Sequence, residues 1–300
     1  MGDLPVTAVS HASPTLCAAI VRFLAAEPLT SDSALYDPAM QGQLRETLRN
    51  EAGQASFDAW SGEIKTALGL WPHAVLVRGI PVERPHNLMV ALTSILGTAV
   101  DPYMQPWSRL VREIRPARDR SVDGWGMLNE ALHTDGTDWP DPNDYTCLLC
   151  VRPDQGRGGL SKIMAQEDIV AELTGQFGIE EVERLRMEPV PWRLAEEIGG
   201  GIHWAPILPE GNLRWLQYGI RMGIESAGIE LCAALARSIE RLEELLKWTA
   251  RSITFRLVTG DLLLVDNKRC LHARTPVEEP ERSERLLLRT KIRRVDAAAD

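Results

Sequence analysis

The sequence predicts a mainly β protein, an antiparallel sandwich or jelly roll with helices covering its outside. Short apolar segments separated by turn residues recur from about residue 107 onward, as in antiparallel β folds. They do not alternate regularly with helices, so a doubly wound parallel sheet is not expected. No linker-like stretch divides the 300 residues, and we therefore expect a single domain, residues 1–300.

The amino-terminal 73 residues are expected to form a helical covering, and residues 74–300 the jelly-roll core with insertions. Between Ser13 and Ala26, apolar residues recur at helical spacing, and Ser13 is a suitable N-cap. The segment 74–80 is apolar and β-branched and is closed by Pro81, which predicts a buried strand. Helices are predicted at 13–26, 41–52, 56–70 and 87–96.

The rest of the chain favours strands. One amphipathic helix interrupts them at 226–247, where leucine and isoleucine side chains form a single stripe. Gly199-Gly200-Gly201 predicts a loop, either an active-site lid or an ordinary surface loop. Strands are predicted at 109–114, 145–151, 160–164, 212–220, 252–258, 261–265 and 285–293.

Charge and cysteine content limit the possible partners. The net charge is −9 and no basic block stands out, so neither nucleic acid nor an anionic membrane is expected as a partner. Five cysteines, an odd number without framework spacing, favour a reducing compartment. The first residues lack the basic region of a signal peptide. We therefore expect a cytoplasmic protein that acts on a small molecule, and the sequence does not indicate its oligomeric state.

His133-Thr134-Asp135 is the sharpest local motif. On a strand, residues i and i+2 point to the same side, so the imidazole and the carboxylate would face one point. These are two of the three ligands of a 2-His-1-carboxylate iron(II) site. A solvated turn before Gly136 is the alternative. The third ligand must come from elsewhere among the six histidines, and His272 lies just past a buried strand and its turn. Taken by itself, His272 would be a strand-edge histidine bonded to backbone.

Arg285 and Arg289 are spaced by four in a predicted strand and would point to one face. Interior arginines are costly unless they are paired, and a bound dicarboxylate would satisfy one of them. An exterior strand with surface arginines is the alternative.

Together these residues resemble the taurine dioxygenase/TfdA-like family of iron(II)- and 2-oxoglutarate-dependent oxygenases. Residues 260–289 are similar to its carboxy-terminal signature, and Leu132-His133-Thr134-Asp135 to its first ligand motif. Gly158-Gly159-Leu160-Ser161 resembles the segment that follows, and residues 75–80 resemble an early strand. The resemblance implies a double-stranded β-helix, that is, a jelly-roll barrel, with iron(II), 2-oxoglutarate and O2 as cofactor and co-substrates.

The resemblance also implies a role for each matching residue. His133, Asp135 and His272 match the metal ligands. Arg285 matches the arginine that binds the distal carboxylate of 2-oxoglutarate, and Ser161 replaces the family's usual threonine at the same carboxylate. Arg289 and Asn129 match residues that contact substrate in several members.

The implied reaction is hydroxylation of an unactivated C–H bond of a small, anionic metabolite, such as an amino acid or a natural-product intermediate. Desaturation and oxidative cyclisation use the same cofactor and stay open. Halogenating relatives replace the carboxylate ligand by Gly or Ala, so Asp135 disfavours chlorination. A catalytically silent binding module and a zinc hydrolase are alternatives of other classes, but neither would need the complete set with Arg285.

Overall fold

A computed structural model describes residues 9–26, 33–83, 85–105, 109–116, 130–156 and 158–294 of the chain. Asn129, a predicted substrate contact, lies outside these residues. The strands within them are β1 (Val9–His11), β2 (Ala74–Arg78), β3 (Thr98–Ala99), β4 (Arg112–Ile114), β5 (Tyr145–Arg152), β6 (Ser161–Ala165), β7 (Val190–Arg193), β8 (Ile202–Ala205), β9 (Ile253–Phe255), β10 (Leu262–Asp266), β11 (Cys270–Arg274) and β12 (Leu286–Arg293).

Two sheets of unequal size form the barrel. The larger one follows the order β1-β2-β10-β5-β12-β3, and β4 pairs with β12 as well. The smaller sheet follows the order β11-β6-β9, and β7 and β8 form a separate hairpin. All pairings in these sheets are antiparallel except that of β1 with β2. This arrangement agrees with the predicted jelly-roll architecture.

The side chains of β2 show how the strands divide the core. Ala74 and Leu76 pack in the space between the two sheets, together with side chains such as Ile163 of β6. Val75 and Val77 point the other way and pack against the amino-terminal helices. Because side chains alternate between the faces of a strand, the larger sheet is apolar on both of its faces.

Helices cover both sheets. The first four share a hydrophobic core with the larger sheet, and the last four share one with the smaller sheet. Within the described residues they are α1 (Pro14–Ala26), α2 (Pro38–Ala52), α3 (Gln54–Leu68), α4 (Pro85–Thr93), α5 (Gln166–Phe177), α6 (Ile179–Met187), α7 (Gln217–Ala227) and α8 (Ala233–Trp248). None of the described helices is long and apolar enough to cross a membrane.

Two predicted elements are wrong. Residues 212–220 form an irregular segment that enters helix α7 at Gln217, not a strand. The predicted helix 226–247 is broken at Gly228, whose φ of 61° ends α7 before α8 begins. Gly223 explains the close packing of α7, because a Cβ there would lie 1.9 Å from the carbonyl oxygen of Pro191.

Candidate metal centre and adjoining cavity

The backbone brings His133 and His272 side by side. His272 lies on β11, and His133 pairs with it through an isolated antiparallel bridge. The His133 amide donates to the His272 carbonyl over 3.0 Å, and the His272 amide donates back over 2.9 Å. The two rings are buried, with their centroids 4.5 Å apart. A distant part of the chain thus supplies the second imidazole, as the sequence predicts.

Asp135 completes the cluster from the same segment as His133. One ligand atom from each of His133, Asp135 and His272 lies within 4.8 Å of the other two. The backbone of Asp135 is clamped by the buried amide of Asn267, whose Oδ1 accepts from the Asp135 N–H over 2.8 Å. The same amide donates to the Asp135 carbonyl over 3.1 Å. The backbone position of Asp135, from which its carboxylate extends, is therefore fixed.

The two carboxylate oxygens of Asp135 have different neighbours. Oδ1 accepts a hydrogen bond of 2.9 Å from Arg289 and lies 3.7 Å from the ammonium of Lys291. Oδ2 accepts from the Thr146 hydroxyl over 2.8 Å and lies 3.5 Å from Nε2 of His272. Burial would raise the pKa of Asp135, but the positive charges of Arg289 and Lys291 hold it well below its ordinary value. The carboxylate is ionised, as a metal ligand must be.

The His133 imidazole is also in the form that a metal requires. Burial, followed by the neighbouring His272, lowers the pKa of His133 to about 3, so its ring is neutral. Nδ1 of His133 lies 2.8 Å from the Ala131 carbonyl and donates to it, which leaves the lone pair of Nε2 free. Nδ1 of His272 is buried without a hydrogen-bond partner among the described residues. Two imidazoles and one carboxylate fit a divalent transition-metal ion.

A cavity adjoins the cluster. Arg285, only 4 % exposed, lines it, and its Nη1 has no hydrogen-bond partner within the described residues. Burial, followed by the nearby Arg274, lowers the pKa of Arg285 to about 10, so the guanidinium is still charged at neutral pH. A buried cation with an unsatisfied donor favours an anionic ligand in this cavity. The lining residues are Ile114, His133, Leu148, Ser161, His272, Ala273, Arg274, Arg285, Leu287 and Arg289.

The glycine pair predicted from the sequence shapes this cavity. A Cβ on Gly158 would lie 2.0 Å from the carbonyl oxygen of Pro276, so the two backbones approach closely only with glycine. Gly159 adopts a φ of 67°, and a Cβ there would contact Cδ and Nε of Arg285 at 3.4 Å. Gly158 therefore allows close packing against Pro276, and Gly159 lies against Arg285 itself.

Ser161 and Arg274 face one another across the smaller sheet. They are paired in the register of β6 and β11, two positions beyond the pair of Ile163 and His272. Residues two apart on a strand share a face, so the pair of Ser161 and Arg274 lies on the same face of the sheet as the pair of Ile163 and His272. Ser161 and His272 both line the cavity. Ser161 is buried there, together with Arg285. The predicted roles of Ser161 and Arg285 at a carboxylate stay predictions.

Sequence reasoning missed three side chains at the cluster, Thr146, Asn267 and Lys291, and one that lines the cavity, Arg274. Lys291 was detectable, since it follows Arg289 by two on a predicted strand and so shares its face. No sequence pattern indicated the Thr146 hydroxyl or the Asn267 amide, because their contacts with Asp135 exist only in the folded chain. Arg289, predicted at the substrate, lines the cavity and bonds Asp135.

Residues 218–291 match the model of the taurine catabolism dioxygenase TauD, TfdA family. Over these residues the chain is similar to the TauD/TfdA family. The matched segment contains His272, Arg285 and Arg289, whereas His133, Asp135 and Ser161 lie before it. The predicted resemblance to this family is thereby confirmed over the matched residues, and the predicted class, an iron(II)- and 2-oxoglutarate-dependent oxygenase, agrees with it.

Solved structures of oxygenases share the fold. Asparagine oxygenase in complex with Fe(II), 3-hydroxyasparagine and succinate is 18 % identical with a TM-score of 0.73, covering 95 % of this chain and 93 % of that one. The non-heme iron oxygenase OrfP with Fe, succinate and (3S)-hydroxy-L-Arg is 16 % identical with a TM-score of 0.70, over 95 % and 93 % of the two chains. OrfP with Fe and α-ketoglutaric acid (2-oxoglutarate) gives the same identity and TM-score, over 95 % and 94 %. No curated protein sequence matches this chain significantly. The likeness confirms the predicted jelly-roll fold.

Proposed function

We propose that this protein is an iron(II)- and 2-oxoglutarate-dependent dioxygenase that hydroxylates an unactivated C–H bond of an amino acid or a closely related anionic metabolite. One observation carries the proposal. His133, Asp135 and His272 converge beside a cavity in which the charged Arg285 is buried with an unsatisfied donor. A hydrolytic metal site would need the three ligands but not this arginine.

The chain's own residues bind and orient the reactants. His133, Asp135 and His272 hold the metal, which supplies, when bound with 2-oxoglutarate and O2, the power to oxidise a C–H bond. Arg285 and the Ser161 hydroxyl bind the distal carboxylate of 2-oxoglutarate from one side of the cavity. Ile114, Leu148 and Leu287 line the same cavity and exclude water, which strengthens these charged contacts.

Arg289 supports an anionic substrate. Its guanidinium has five donors, and the recorded hydrogen bond to Asp135 uses one of them. The side chain is 16 % exposed and lines the cavity. Arg289 and Lys291 place two positive charges at this end of β12, whereas Asp135 supplies only one negative charge. The carboxylate of an amino acid would therefore improve the charge balance. The asparagine and arginine derivatives bound to the two similar enzymes support the same substrate class.

We propose further that residues 1–300 form a single domain, since α1–α4 share their core with the larger sheet. The net negative charge supports a small-molecule enzyme without a nucleic-acid or membrane partner. Five cysteines, all unpaired in the structure, support the cytoplasm as its compartment.

The test is a screen of amino acids and their derivatives against the purified chain with iron(II), 2-oxoglutarate and O2. Succinate release that depends on one amino acid, with a product heavier by one oxygen atom, is the expected result. The control is His272→Ala, which removes a ligand and should abolish the release. A product lighter by two hydrogen atoms would show that the reaction is desaturation or cyclisation instead of hydroxylation. If wild type binds neither iron(II) nor 2-oxoglutarate, the oxygenase proposal is wrong.

A further inference from the structure

Thr146 connects two buried polar groups near the candidate metal centre. Its side chain is fully buried on β5. The hydroxyl donates to Oδ2 of Asp135 over 2.8 Å and accepts from Nδ2 of Asn143 over 3.1 Å. A hydroxyl has a single proton. Because Nδ2 of Asn143 can only donate to the hydroxyl oxygen, the Thr146 proton is left for the Asp135 carboxylate.

The position of Oδ2 gives this bond its significance. Oδ1 of Asp135 is occupied by Arg289 at 2.9 Å and faces Lys291, whereas Oδ2 lies 3.5 Å from Nε2 of His272. Oδ2 is therefore the oxygen turned toward the other candidate ligands. A carboxylate oxygen offers two lone-pair directions. If Thr146 occupies one of them, the other remains for a metal ion.

We propose that Thr146 is a positioning residue that, with Asn143 behind it, holds the Asp135 carboxylate so that Oδ2 is presented to the metal ion. This inference rests on the proposed function, because it requires Asp135 to be a metal ligand. Hydrogen bonds of this kind fix the orientation of a ligating carboxylate, and their loss typically weakens metal binding by roughly 10- to 100-fold.

The chain offers a matched control for Thr146. Thr290 lies on the neighbouring strand β12, where it is paired with Cys147, next to Thr146. It is equally buried, but its hydroxyl has no hydrogen-bond partner within the described residues. A change of threonine to valine keeps the branched shape and removes the hydroxyl at either position. Only at position 146 does this change remove a bond to Asp135.

The experiment titrates the full chain with cobalt(II), which stands in for iron(II) and reports its ligand geometry by visible absorption. Thr146→Val should weaken cobalt(II) binding by roughly 10- to 100-fold and alter the absorption bands. Thr146→Ser keeps the hydroxyl and should restore both, and Thr290→Val should behave as wild type. The melting temperature of each metal-free variant checks folding, and Thr146→Ala replaces Thr146→Val if the valine variant does not fold.

The outcomes separate this inference from the function on which it rests. Wild-type cobalt(II) affinity in the folded Thr146→Val or Thr146→Ala variant would overturn the positioning role and leave the oxygenase proposal standing. An equal loss in Thr290→Val would also overturn it, since the loss would reflect packing alone. If wild-type chain bound no cobalt(II), or bound it equally well as His272→Ala, the metal site itself would be wrong and both proposals would fail.

Discussion

Arg289 donates a hydrogen bond of 2.9 Å to Oδ1 of Asp135, and this contact joins the last strand of the larger sheet to the candidate metal centre. Lys291, two residues further along β12, stands 3.7 Å from the same oxygen and lies over the ring of Trp139. The two cations explain how a buried carboxylate stays ionised. The hydrogen bond to Asp135 also holds Arg289 beside the cavity, which its side chain lines.

Replacing Arg289 by methionine tests both roles. The variant should bind cobalt(II) more weakly, by roughly 10- to 100-fold, because Asp135 loses a hydrogen bond that orients its carboxylate. The KM for the amino acid substrate should rise as well, whereas the KM for 2-oxoglutarate should change little. Steady-state succinate release measures both constants. Arg293→Met on the same strand is the control, because Arg293 pairs with Asp141 at the surface. Unchanged metal affinity and unchanged substrate KM in the Arg289 variant would remove this arginine from the site.

Arg285→Ala should raise the KM for 2-oxoglutarate by roughly 100-fold or more, because breaking a buried ion pair costs about 3–5 kcal/mol. Cobalt(II) affinity should stay close to that of wild type, since Arg285 has no recorded bond to the three candidate ligands. Arg282→Ala is the control, because that side chain is 80 % exposed. If 2-oxoglutarate dependence were the same in both variants, the cavity around Arg285 would not be the co-substrate site.

The sequence was sufficient to find the three candidate ligands. His133 and Asp135 share a face because they are two residues apart in extended backbone, and few histidines were available as the third ligand. The clamp on Asp135 could not be found in this way. Asn267 lies 132 residues from Asp135, and nothing in its neighbours indicates that its amide will face that backbone. Such contacts appear only when two distant segments are packed together.

The segment 212–220 shows why local alternation misleads. Leu213 and Trp215 alternate as in a strand and are indeed buried. Between them, Arg214 turns inward and donates hydrogen bonds to the carbonyls of Thr137 and Trp139, at 2.6 and 2.8 Å. These bonds hold the loop that follows Asp135. Tertiary contacts, not strand pairing, therefore fix this segment, and a single sequence does not display them.

Gly159→Ala should lower stability and weaken 2-oxoglutarate binding together. The left-handed φ of 67° costs a non-glycine residue roughly 1–2 kcal/mol. The new methyl group would also crowd Cβ of Asp154 at 3.1 Å and contact Arg285 at 3.4 Å, so that a shift to relieve the crowding would move against the arginine. Gly211→Ala is a matched control, because Gly211 has a φ of 66° and open space around its Cβ. Both variants should melt earlier, but only Gly159→Ala should raise the KM for 2-oxoglutarate. If the two variants had the same KM for 2-oxoglutarate, Gly159 would be required only for the backbone conformation.

Asp135→Gly tests the reaction type as well as the ligand set. The wild-type enzyme should give an oxygenated or dehydrogenated product and no chlorinated one, because the carboxylate fills the coordination position that a halide would need. In the variant, the metal loses the anionic member of its three protein ligands, and Arg289 and Lys291 lose the carboxylate that they face. Hydroxylation should be abolished.

The vacated position, beside two cations, should favour chloride, so cobalt(II) binding by Asp135→Gly should become stronger as chloride is added. The measurement combines product mass, from substrate incubated with iron(II), 2-oxoglutarate, O2 and chloride, with cobalt(II) titrations at two chloride concentrations. Asp135→Asn is the control, since it removes the charge but keeps the side chain in place. A chlorinated main product from the wild type would contradict the prediction and would mean that Asp135 does not bind the metal. Hydroxylation that survives in Asp135→Gly would lead to the same conclusion.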